Sequence, residues 1–93
     1  MEKLVLKKPV NINGELTEEI EYDLENLTGQ DIQQIVRDLN KRSIVIGAVE
    51  LDVNYHAALF AQAAGLSFDD ISNLSVKDYN EATVRVRNFF LAD

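Results

Sequence analysis

An α+β fold, with an N-terminal antiparallel β-hairpin packed on a cluster of three to four α-helices, is what the sequence predicts. Apolar residues alternate with a period of two on both sides of Asn13-Gly14. Further along, apolar residues recur three and four apart, as the buried stripe of a helix requires. Start signals of the form Ser/Thr-x-x-Asp punctuate the same region at Thr28, Ser67 and Ser75. The 93 residues make a single domain, 1–93, because a chain this short supports only one core.

The hairpin is expected over residues 3–25, with Leu4, Leu6, Val10 and Ile12 on its first strand and Leu16, Ile20, Tyr22 and Leu24 on its second. A two-residue Asn13-Gly14 loop would pair Ile12 with Glu15, and a regular ladder would then set Leu6 opposite Glu21 and Leu4 opposite Asp23. That face mixes apolar and acidic groups. A three-residue loop of Ile12, Asn13 and Gly14, with Gly14 left-handed, pairs Val10 with Leu16, Lys8 with Glu18, Leu6 with Ile20 and Leu4 with Tyr22. This second register is the expected one, since it makes one face consistently apolar. An isolated hairpin is marginal, so that face packs on helices, and Pro9, which has no N–H, marks the first strand as an edge.

The first helix, about 29–41, opens with capping-box spacing at Thr28 and Asp31 and carries Ile32, Ile35, Val36 and Leu39 on one side. Gln33, Gln34, Arg37 and Lys41 occupy the other. Residues 42–51 have no clear period: Ile44, Val45, Ile46, Ala48 and Val49 surround Gly47, and a buried strand, a helix extension and an exposed apolar loop all remain open. The segment is far shorter than the ~20 residues needed to span a bilayer. A helix over about 52–64 is apolar nearly all round, with Val53, Ala57, Phe60, Ala61 and Ala64 on one side and Tyr55, Leu59 and Ala63 towards the other. Such a helix is central or covered by a partner. Gly65-Leu66 then reads as a left-handed stop with an apolar follower. A short helix at 67–73 leads to a longer one at 76–91, whose expected stripe is Val76, Tyr79, Thr83, Val86 and Phe90, widened by Ala82 and Phe89. Val84 and Leu91 fall on a separate flank.

The formal charge is −7, and the seven acids between Glu15 and Asp31 have no base among them. Phosphate backbones repel such a surface, so nucleic acid is disfavoured and a basic partner, or simple solubility, is favoured. Absence of cysteine removes disulfides and thiol chemistry, and the N-terminal residues lack the pattern of a signal peptide, which makes the cytosol the expected compartment. His56, the only histidine, reads as a satisfied or half-exposed structural residue, because Glu50 and Asp52 do not complete a metal-ligand set with it. Asp52-x-Asn54-x-His56 lacks the glycine and terminal glutamate of a calcium loop. Among Asp69, Asp70, Asp78 and Glu81, two occupy capping positions that account for them without catalysis. No nucleophile elbow or glycine-rich phosphate loop is present. A chain without enzyme activity, cofactor or metal is expected.

The second half has a specific arrangement: Ala63-Ala64-Gly65-Leu66-Ser67, then Asp70-Ile71, Asn73-Leu74-Ser75 and Lys77-Asp78-Tyr79, closing on Val84 to Phe90. With the hairpin bearing Lys8-Pro9-Val10 and Asn13-Gly14, and the helix opening near Thr28 and Asp31, it resembles the small tail assembly chaperones of tailed phages and prophages over nearly the whole chain. The resemblance implies a non-enzymatic chaperone of the bacterial host cytoplasm, absent from the finished virion. It would hold the tape measure protein soluble while the tail tube forms. The tail tube protein and a second copy of the chain are further candidate partners; nucleic acid and membrane are not. The competing reading is an acidic adaptor or nucleic-acid mimic that meets a basic partner through its Glu15 to Asp31 face. Apolar groups beyond what one core stripe needs mark the expected contact residues: Ile44, Val45, Ile46 and Val49 in one segment, and Val84, Arg87 and Leu91 on the last helix.

Overall fold

In the computed structural model, which describes residues 2–44 and 52–91, the chain begins with two antiparallel strands, β1 (Glu2–Ile12) and β2 (Glu15–Tyr22). A 3-10 turn at Leu24–Asn26 leads into α1 (Gly29–Lys41), α2 (Val53–Ala64), α3 (Phe68–Ser72) and α4 (Val76–Leu91). The architecture is the α+β arrangement expected from the sequence.

The register of the hairpin is not the expected one. Asn13 (φ 53) and Gly14 (φ 85) both take left-handed backbone, as a two-residue hairpin turn demands, and Ile12 pairs with Glu15. Pairing continues to Val10 and Thr17, then resumes at Val5 and Glu19, followed by Leu4 with Ile20 and Glu2 with Tyr22. Between the two phases β1 advances through Leu6, Lys7, Lys8 and Pro9 while β2 advances through Glu18 alone. The bulge removes the conflict that a continuous ladder would have created. It re-phases β1 so that Leu4, Leu6, Ile12, Ile20 and Tyr22 are all buried, and leaves Leu16 exposed on the outside. Pro9 sits within this irregular stretch, where its missing N–H costs no ladder bond.

α2 is the central element. Every residue from Tyr55 to Ala61 is buried, and α1, α3, α4 and β2 all pack on it. The Tyr22 ring lies 4.7 Å from that of Phe60, and the Asp23 N–H donates to the Ala63 carbonyl at 3.0 Å. Asp52 caps the start of α2 by accepting from the Tyr55 N–H. Gly65 (φ 71) ends it, with the Leu66 N–H bonded to the Ala61 carbonyl and the Gly65 N–H to that of Gln62. Reciprocal capping boxes start α1, between Thr28 and Asp31, and α3, between Ser67 and Asp70.

The middle of the expected α4 stripe, Ala82, Thr83 and Val86, is buried, with Tyr79 half-buried against the core, but the stripe's ends are not. The helix buries Asp78, Ala82, Thr83 and Val86, whereas Val76 is 86% exposed and Phe90 41%. Asp78 extends the inward face at the start of the helix. Its carboxylate accepts from the Lys7 N–H at 2.9 Å, the Lys8 N–H at 3.1 Å and the Ser75 hydroxyl at 2.9 Å. Those two amides are the ones the bulge withdraws from the ladder. A charged residue therefore leads the inward face, which apolar spacing alone cannot reveal.

Candidate functional site

α4 reaches across the molecule and is pinned at two places. At its start Asp78 holds the bulge; further along, the Arg85 guanidinium donates to the Lys3 carbonyl at 2.9 Å and the Tyr22 hydroxyl at 3.0 Å. Burial alone would push the Asp78 carboxyl up, but the Lys7 and Lys8 amides, the Ser75 hydroxyl and the Lys7 charge together hold it below the usual aspartate value. Capping thus accounts for Asp70 fully and for Asp78 only in part.

With the helix so fixed, its last turn projects Phe89, Phe90 and Leu91, which are 38%, 41% and 63% exposed. The two phenyl rings meet edge to face at 5.6 Å. Three consecutive residues on a helix are spread about 100° apart, so a helix packed on one side cannot bury all of them. That run is the signal the sequence offers, although Phe89 and Phe90 also fall at the spacing of the core stripe. Beside them, Glu2, Tyr22, Asp23, Leu24, Glu25 and Phe89 line a notch of about 220 Å3.

Of the expected contact residues, Val84 is half-buried and borders a shallow hollow with Lys7, Lys77, Asn80 and Glu81, Arg87 is exposed, and Leu91 is exposed. Ile44 is half-buried against the core, its N–H bonded to the Leu39 carbonyl at 2.9 Å. Val45, Ile46 and Val49 lie outside the described residues.

A second concave surface was not anticipated. α1, α2 and α3 enclose a groove of about 430 Å3 with Ile35, Leu39, Ala58, Ala61, Leu66 and Phe68 among its walls. Alanines at 58 and 61 leave the space where larger side chains would close the helices together. Arg42 edges this groove, donating to both Asp69 oxygens at 2.9 and 3.3 Å and lying 5.3 Å from the centre of the Phe68 ring. The pair shifts both groups, raising Arg42 and lowering Asp69.

His56 is 2% exposed, which corrects the expectation of a satisfied or half-exposed side chain: its Nε2 has no hydrogen-bond partner among the described residues. Burial pushes its pKa down, and the Arg87 charge adds to this against the opposing influence of Asp52. Among the described residues no three His, Cys, Asp or Glu side chains are grouped to hold a metal ion, and no helix is long and apolar enough to cross a membrane.

Comparison with known families supplies the decisive observation: residues 3–91 match the family described as phage tail assembly chaperone proteins, E, or 41 or 14. The chain belongs to the phage tail assembly chaperones. No curated protein and no solved structure matched it. The match spans both the hairpin and the last turn of α4, so the surfaces just described lie within the family's own domain. For a tail assembly chaperone, the role is in phage tail assembly and the partners are tail proteins. The family implies a non-enzymatic role.

Proposed function

We propose that this tail assembly chaperone binds the tape measure protein in the host cytoplasm and keeps it soluble until the tail tube has formed. It does so without catalysis and is absent from the finished virion. The observation that carries this reading is the exposed run Phe89-Phe90-Leu91 on a helix whose remaining length is anchored. A long client with apolar stripes aggregates unless the stripes are covered, and a cover needs apolar surface on a domain whose charge keeps the complex dispersed. The net charge of −7 supplies the second requirement.

Co-expression with a tape measure protein from the same phage genome tests the proposal. The expected result is a soluble complex with the wild-type chain. Leu91→Asp should melt within a few degrees of wild type, because an exposed site contributes little to folding, yet leave the tape measure protein in the pellet. A tape measure protein that stays insoluble beside the wild-type chain would overturn the reading.

A further inference from the structure

The notch at the open end of the hairpin combines two chemistries. Tyr22, Leu24 and Phe89 give it an apolar side, continuous through Phe89 with the exposed Phe90 and Leu91. Glu2, Asp23 and Glu25 give it an acidic rim. The last turn of α4 contains no basic residue, so no side chain on that turn offsets the negative end of the helix dipole. Farther back on α4, Arg85 is engaged by Glu81, the Lys3 carbonyl and the Tyr22 hydroxyl, and the exposed Arg87 bears on His56 and does not line the notch. The ion pairs formed among the described residues are Lys3–Glu19, Arg42–Asp69 and Arg85–Glu81, none of which neutralises the rim. Asp23 is committed locally, accepting from the Glu25 N–H and the Asn26 side chain, whereas the exposed Glu25 projects its charge towards solvent.

We infer that this notch receives a protein segment bearing lysine or arginine beside an apolar side chain. The apolar group rests on Phe89, Phe90 and Leu91, and the cation enters among Glu2, Asp23 and Glu25. This deepens the proposed function and rests on it, naming the chemistry of the client segment. Charge decides between occupants: a second copy would bring another −7 chain against the first, while a basic segment is drawn in.

Two synthetic helical peptides with the same leucine stripe, one flanked by lysines and the other by glutamates, are titrated into the full chain and followed by fluorescence anisotropy. The lysine peptide should bind, more weakly as salt is added. Glu25→Lys and Phe89→Asp should each weaken it by about tenfold or more. Circular dichroism and melting of Glu25→Lys should match wild type, so the test stands even where Phe89→Asp disturbs folding. Equal binding of the glutamate peptide, or unchanged lysine-peptide binding by Glu25→Lys, overturns the inference. A wild-type dimer in sedimentation that Phe89→Asp splits overturns it too, since a second copy then occupies the notch. If the chain keeps the tape measure protein soluble while these substitutions have no effect, the notch assignment falls and the proposed function stands. If the peptides behave as expected but the tape measure protein is not bound, the reverse holds.

Discussion

Asp78 is an ionised group at 2% exposure, tolerated because two backbone amides and a hydroxyl converge on it. Asp78→Ala leaves the Lys7 and Lys8 amides without their acceptor and should cost about 1–3 kcal/mol in urea unfolding. The acid limb of the stability profile carries the same signature. The folded pKa of Asp78 lies below the ordinary 3.8, so its contribution is fully present above 3.8 and lost as pH falls through the folded value. His56 acts higher on the scale. Its folded pKa is below the ordinary 6.5, so the unfolded chain takes up a proton first, and stability present above 6.5 declines as pH falls towards the folded value. Melting temperatures recorded across this range should show both declines, and His56→Gln should abolish the upper one alone.

Among the elements, the hairpin shows most clearly why part of the structure was legible and part was not. Asn13-Gly14 announced a turn, and the alternation of Leu4, Leu6, Ile20 and Tyr22 announced a buried face; both are present. The register differs from the expected one because matching apolar faces presupposes an unbroken ladder, and the ladder is broken between Val5 and Val10. The acceptor that makes the break affordable is Asp78, in another element 70 and 71 residues away. The turn itself gives a clean test. A Cβ at Gly14 would meet nothing within 4 Å, so Gly14→Ala faces only the conformational cost of φ 85. That cost should be about 1 kcal/mol in chemical denaturation.

At the scale of the whole molecule, one buried cluster runs from Leu4 through Phe60 to Val86 and joins the hairpin to the helices. Helix starts and the central place of α2 were readable from Thr28, Ser67 and Ser75 and from the scarcity of polar residues between Val53 and Ala64. The exposed apolar end of α4 was half readable. Leu91 stands out as surplus, but Phe89 and Phe90 fall at core spacing, and the notch beside them joins residues from both ends of the described chain. Such convergence has no trace in local spacing. Phe60→Ala should be the most damaging of the changes considered, about 3–5 kcal/mol, because α2 is surrounded and cannot collapse onto the void. A calorimetric melt far below that of wild type is the expected readout.

The Asp78 bond to Lys7 and Lys8 also sets an order of events during synthesis. The ribosome releases β1 first, yet the acceptor for its two diverted amides is made 70 and 71 residues later. Until then the emerging strand lacks the acceptor for those two amides, and an isolated hairpin is marginal. The hairpin is thus predicted to settle into its bulged register only once α4 is present. Refolding should accordingly be slowed by Asp78→Ala more than by an equally destabilising change confined to α1, as stopped-flow measurements can determine.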